Sequence, residues 1–248
     1  YSNIMKLDKN FFSENIKTLI YALIIAVIIR SFLVQPFYIP SSSMEPTLLV
    51  GDRLFVTKYT YGYSKHSFPF SPPFSNKRFF TKDPERGDLV VFKTPSDNRT
   101  DYIKRLIGLP GDTIQFKNGE IFLNNKKIKR EKIKSENIIR CGSQNFETLS
   151  FIETLPNGIS YNAVYSAKGT LKNSDEYKVP NDSFFLMGDN RDCSKDSRFL
   201  SSVGYVNKIN LVGKASIIFF SNDTNISSIL KIWNLNKSFR LDRLFKSL

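Results

Sequence analysis

The chain has 248 residues, of which 41% are hydrophobic and 24% charged, and a formal net charge of +13. That is enough chain to bury a core, and the balance excludes a disordered or low-complexity protein. The charge has two readings: an anionic partner (membrane surface or nucleic acid) or the bias of a lysine-rich proteome.

The first element is apolar. Residues 19–29 read LIYALIIAVII, without charge or break, and apolar character resumes after Arg30 and Ser31. A helix over 18–37 would be about 30 Å long at about 1.5 Å per residue, enough to cross a bilayer. Lys6, Lys9 and Lys17 precede it. Positive charge marks the cytoplasmic side, so residues 1–17 are expected inside and 38–248 outside. Arg30 is close enough to the end to snorkel. A cleavable signal peptide shares the basic start, but no small-x-small site follows. A buried core helix is the third reading; a permanent anchor accounts for more of the pattern than either.

After Pro40 the pattern changes to short strands and turns. DRLFVTKYTYGY and TDYIKRLIG alternate apolar with polar, and GDLVVFKT, SFFLMGDN and KASIIFF are compact apolar runs. TIQFKNGEIFLNNKKI reads as two strands joined at Asn118-Gly119, a strong hairpin signal. Few helix-length patterns intervene, so a mainly β, antiparallel domain is expected. Residues 67–80, SFPFSPPFSNKRFF, have prolines that deny them regular structure. They read either as rings packed on the sheet or as a loop dipping into the lipid interface. KKIKREKIK at 126–134 is a solvated basic face or a contact for anionic headgroups.

Chemistry is suggested by PSSSMEPTLLVGD at 40–52. A serine is a nucleophile only when a base takes its proton. The single histidine, His66, lies in an aromatic loop with nothing to mark it as that base. The alternative is a lysine held neutral by burial. Among the lysines, Lys104 lies in the run Tyr102-Ile103-Lys104-Arg105-Leu106-Ile107, sharing a strand face with Tyr102 and Leu106. From the pattern alone it is either a desolvated amine or a lysine snorkelling at a sheet edge. No HExxH or CxxC pattern is present, which argues against a zinc centre. Asp189, Asp192 and Asp196 lack the EF-hand spacing and read as turns and ion pairs.

Four blocks in order, PSSSMEPTLLVGD, RGDLVVF, YIKRLIGLPGD and MGDNRDCSKDSR, together with IRSFLVQPFYIP leading into the first, resemble the type I bacterial signal peptidases. The loop YGYSKHSFPFSPPF is similar to the alphaproteobacterial branch. The resemblance implies a membrane-bound serine endopeptidase that removes signal peptides from secreted preproteins through an acyl-enzyme. It implies Ser43 as nucleophile, Lys104 as general base, and Ser41 as an oxyanion donor beside the Ser43 N–H. Ser194 would orient the Lys104 amine, with Asp196 and Arg198 as a supporting ion pair. Phe37, Ile39, Met44, Leu48, Leu54, Val91, Tyr102 and Ile103 would line small S1 and S3 pockets. The substrate would add as a strand between Ile39, Pro40 and Ser41 on one side and Asp101, Tyr102 and Ile103 on the other.

The expected architecture is one transmembrane helix followed by an antiparallel β catalytic domain, with a hairpin-rich excursion at roughly 116–180. The expected setting is the bacterial inner membrane, with the catalytic domain on the extracytoplasmic face. The expected partners are preproteins and the bilayer. No cofactor or metal is expected, nor nucleic acid, since the basic residues are dispersed; a monomer would suffice. Cys193 stands where the family pattern has Asn. A Cys141–Cys193 bridge has no precedent in that pattern, so two thiols are expected.

Overall fold

A computed structural model describes residues 9–73, 75, 77–142, 144–222 and 239–248. The chain begins with α1 (Lys9–Ile28), continues through a π turn (Ile29–Leu33), and then enters strands. These are β1 (Val34–Tyr38), β2 (Asp52–Thr57), β3 (Leu89–Lys93), β4 (Asp101–Gly108), β5 (Thr113–Lys117), β6 (Glu120–Leu123) and β7 (Lys126–Lys127). They continue as β8 (Lys129–Cys141), β9 (Gln144–Thr154), β10 (Ser160–Ser166), β11 (Tyr177–Lys178), β12 (Ser183–Met187), β13 (Val206–Asn207), β14 (Leu211–Ser221) and β15 (Lys246–Ser247).

The stretch 14–33 has a mean hydropathy of 2.1, and only 6% of it is buried against the rest of the protein. It is long and apolar enough to cross a membrane by length and composition. The expected helix over 18–37 ends earlier, because residues 34–38 form strand β1. The cause is pairing: β1 runs antiparallel to β2, Val34 opposite Thr57 and Phe37 opposite Leu54. Pro36, which cannot donate to a ladder, is tolerated because β1 is an edge strand. The helix end is tied down by Lys58 N–H donating to Leu33 O (3.0 Å) and Tyr63 OH to Phe32 O (2.9 Å).

The main sheet runs β1-β2-β14-β3-β4-β12-β13, with β15 on β14, and its pairs are antiparallel. Both faces of β3 are covered. Leu89 and Val91 pack with Leu54, Val56 and Val212, while Val90 and Phe92 pack with Leu106, Phe184 and Leu211. Full burial of such a side chain stabilises by about 1.5–3 kcal/mol, so a strand buried on both faces reads as a continuous apolar run.

The excursion spans β5 to β11 and starts a few residues earlier than expected. Its Asn118-Gly119 turn has positive φ at both positions, 51° and 76°, as a type I′ hairpin needs. Most of the basic run KKIKREKIK lies in β8, which pairs with β9 on either side of a register shift between Ile133 and Glu136, and Lys126, Lys127, Lys129 and Lys132 are exposed, as a solvated face requires. Lysine and glutamate have low strand propensity, which hid the hairpin from the pattern.

The expectation of two free thiols is overturned. Cys141 at the end of β8 is bonded to Cys193, with Cα atoms 5.7 Å apart across 52 residues of sequence. The excursion folds back onto the turn after β12: Val164 N–H donates to Asp189 O (2.9 Å), and Val164 bridges Asn190. That docking, invisible in sequence, brings the end of β8 to Cys193.

Candidate active site

Three segments meet at one place. The loop after β1 carries Ser41 and Ser43, β4 carries Lys104, and the turn after β12 carries residues 188–198. Ser43 lies in a 3-10 turn, Ser42–Met44, held from below by the third segment. Asn190 N–H donates to Ser43 O (3.2 Å) and its side-chain amide to Ser42 O (3.1 Å). Met44 is fully buried and fixes the turn to the core.

Lys104 stands opposite Val90 in the β3–β4 ladder and is only 4% exposed. Its Nζ donates to Ser43 Oγ (2.7 Å) and to Ile103 O (2.9 Å). Burial pulls its pKa from the ordinary 10.5 down to about 8, and the Asp196 and Asp189 carboxylates oppose that fall without cancelling it. The desolvated amine is therefore the reading the fold supports, rather than a snorkelling one. Ser41 Oγ is 3.4 Å from Ser43 Oγ. Ser42 points elsewhere, its Oγ 3.3 Å from Cys193 Sγ.

Ser194 is buried beside this pair, and its hydroxyl has no hydrogen-bond partner among the described residues, so the expected contact with the Lys104 amine is not formed. Asp196 and Arg198 do pair, at 2.8 Å through Nε and 2.9 Å through Nη2. Burial raises the Asp196 carboxyl, yet Arg198 outweighs it, and the pKa lies below the usual carboxylate range. Gly188 N–H also donates to Asp196 (2.9 Å).

A cleft of about 390 Å³ opens over Ser43 and Lys104. Of the expected binding residues, Phe37, Ile39, Pro40, Met44, Val91, Asp101, Tyr102 and Ile103 line it. Leu48 and Leu54 do not; both are fully buried in the core that includes Ile39 and Met44, and they shape the cleft only from behind. Tyr38, Thr100, Cys193 and Lys195 also line it and were not foreseen.

The three aspartates of the third segment are engaged separately. Asp189 receives Arg105 Nε (2.8 Å) and Nη2 (2.7 Å), and also Thr47 Oγ1 (2.5 Å). Asp192 receives Ser166 N–H (2.7 Å) and Thr170 Oγ1 (2.6 Å). Arg105 and Asp189 thus tie β4 and the serine loop to the turn, a role that sequence reasoning missed. Gly188 was missed too: a β-carbon there would lie 2.2 Å from Ser194 Oγ. The blocks RLIG and MGDN contained these residues, but not which pairs they form.

A family model described as signal peptidase, peptidase S26, matches residues 12–220. A protein named signal peptidase I from Rickettsia typhi is 42% identical over 246 residues, covering 92% of this chain and 90% of its own. Its namesake from Rickettsia prowazekii is 41% identical with the same coverage. That from Rickettsia canadensis is 41% identical over 94% of this chain and 92% of its own. A solved signal peptidase I from Enterococcus faecalis aligns over 54% of this chain and 97% of that one, at 24% identity and a TM-score of 0.32.

Proposed function

The chain belongs to the signal peptidase family, peptidase S26, and from that premise we infer that it cleaves signal peptides from secretory preproteins with Ser43 as nucleophile and Lys104 as base. The observation that carries this reading is the 2.7 Å contact between Lys104 Nζ and Ser43 Oγ, both buried, with the amine's pKa lowered to about 8. At neutral pH about a tenth of such an amine is uncharged and able to accept the serine proton.

On this reading the steps are as follows. Lys104 takes the proton as Ser43 Oγ attacks the scissile carbonyl. The tetrahedral oxyanion is held by the Ser43 N–H and the Ser41 hydroxyl, each such donor worth about 3 kcal/mol. Lys104 returns the proton to the leaving amine, an acyl-enzyme remains on Ser43, and a water activated by the same amine releases it. Asp196 and Arg198 hold the turn beneath the pair, and Ser194 comes to orient the amine once substrate rearranges the site.

The substrate adds as a strand between 39–41 and 101–103, its side chains at P1 and P3 entering the cleft beside Val91, Met44 and Ile103. Small residues fit there, and larger ones clash with walls fully buried from behind. The helix over 14–33 anchors the enzyme, with the N-terminus in the cytoplasm and the β domain on the outer face of the plasma membrane, acting as a monomer. Exposed Phe70 beside the helix end suits the lipid interface.

The test is processing of a secretory preprotein in vitro. Ser43→Ala and Lys104→Ala should each abolish cleavage while far-UV circular dichroism stays unchanged; cleavage retained in either refutes the pair.

A further inference from the structure

Beside the helix end lies a second cleft, of about 580 Å³, separated from the first by Asp101, which lines both. Four cationic side chains line it: Arg30 from the helix end, Lys65 from the aromatic loop, Lys93 from the end of β3 and Arg99 from the β3–β4 connection. Two carboxylates face them, and both are already engaged. Asp101 pairs with Lys93 (2.9 Å). Asp97 accepts the Arg99 and Thr100 N–H groups (2.8 and 3.0 Å) and the hydroxyls of Thr94 and Thr100. The guanidinium groups of Arg30 and Arg99 have no hydrogen-bond or ion-pair partner among the described residues.

The wall of this cleft carries another unmet group. His66 is 4% exposed, with Nδ1 bonded to Ser71 Oγ (3.0 Å) and Nε2 without a hydrogen-bond partner among the described residues. Burial, with Lys65 and other cations nearby, pulls its pKa to about 4, so the ring adds no charge and leaves a polar nitrogen unsatisfied. The loop itself is held in place. Buried Lys58 donates to Ser67 O, and Phe68 packs edge-on to Phe32 at 5.4 Å.

The cleft's depth follows from its position. Arg30 is three residues from the end of the apolar stretch at Leu33, and Phe70 is fully exposed at the rim. Guanidinium groups beside an apolar span, with an aromatic side chain turned outward, lie at the level of lipid phosphates. Arginine forks match phosphate oxygens in pairs. We propose that this cleft binds the headgroup of an anionic phospholipid, with Arg30 and Arg99 on its phosphate. The inference rests on reading residues 14–33 as the membrane span. A lipid seated there holds the β3–β4 connection, and with it Asp101 at the end of the substrate groove, against the membrane surface.

The experiment uses the full chain in neutral detergent, with native mass spectrometry of retained lipid. Wild type should retain one phosphatidylglycerol at a lipid concentration at least tenfold below that needed for phosphatidylcholine. The double variant Arg30→Gln/Arg99→Gln should lose that preference while cleaving a preprotein in lipid-free detergent at the wild-type rate. Equal retention of the two lipids by wild type, or a preference that survives in the double variant, overturns the proposal. So does glycerol phosphate binding as tightly as phosphatidylglycerol, which would make this a site for soluble phosphate. A raised KM for preprotein in the double variant without lipid would make the cleft a substrate subsite and also overturns it. Protease protection of the 14–33 segment in vesicles reports on the span itself, so failure of the span and failure of the cleft are separately visible.

Discussion

A β-carbon on Gly188 would lie 2.2 Å from Ser194 Oγ and 2.5 Å from the carbonyl oxygen of Ser43. The turn after β12 therefore closes on the serine loop through the one residue type that leaves room. Gly188→Ala should push Ser43 away from Lys104 by a fraction of an ångström or more. A misplacement of about 1 Å costs about 100-fold in rate. The expected outcome is a kcat loss of that order with little change in KM, measured on a preprotein; unchanged kcat would refute the packing argument.

Cleavage should depend on pH through Lys104. Only the neutral amine accepts a proton, and its pKa is lowered to about 8. The rate should rise about tenfold per pH unit below 8 and level off above it, in a kcat/KM profile. A profile flat from pH 6 to 10 would exclude the lysine.

The same shift predicts a stability effect of known sign. Lys104 is buried, and its folded pKa of about 8 lies below the ordinary 10.5. Below pH 8 the fold holds a charged amine at a cost, and stability rises with pH between 8 and 10.5, where only the unfolded chain keeps the proton. Lys104→Met should therefore abolish cleavage yet stabilise the domain at pH 7 by roughly 3 kcal/mol, an advantage that vanishes above pH 10.5. Thermal melts at the two pH values measure it.

Arg191 and Glu153 are both almost completely buried and pair through both guanidinium nitrogens at 2.8 and 2.7 Å, with Tyr161 and Tyr165 closing the network. Burial lowers the arginine pKa and raises the carboxyl's, but mutual attraction reverses both shifts. Removing one partner strands a charge, so Arg191→Met should cost about 3–5 kcal/mol. The double variant Arg191→Met/Glu153→Leu should recover most of that. Denaturant unfolding of the single and double variants checks it; additive losses would count against a coupled pair.

The Cys141–Cys193 bond fastens the β8–β9 hairpin to the turn that supports Ser43. Both cysteines should resist alkylation until reduced, as read by mass spectrometry. Cys141→Ala should cost about 2–4 kcal/mol, by the usual effect of freeing a long loop. Alkylation of both thiols in unreduced protein would remove the bridge.

Much of this was legible along the chain. The 19–29 run has no charge and too few polar groups to be anything but buried or in lipid. Strands β3, β4, β12 and β14 announced themselves because both faces, or one strict face, are apolar. Lys104 was singled out by apolar neighbours two residues away on its own strand, a local property that sequence displays directly. The β8–β9 hairpin did not stand out, because its lysines and glutamates carry no apolar period; pairing along its length creates it. Nor did the end of the helix at Leu33: Pro36 marks a stop nearby, but the β1–β2 ladder decides which residue is the last in the helix.

What only the tertiary structure decided is contact between distant segments. Ser43 and Lys104 lie 61 residues apart, and Cys141 and Cys193 52 apart. Arg105 reaches Asp189 across 84 residues, and Arg30 shares a cleft with Arg99. Composition and period act over a turn or a strand. Which amine is desolvated beside which hydroxyl, and which guanidinium is left without a carboxylate, depends on how the sheet closes and the excursion docks. The sequence by itself determined an apolar stretch and a β domain with a candidate serine and lysine; the fold decided that the two meet, both buried, at hydrogen-bond distance.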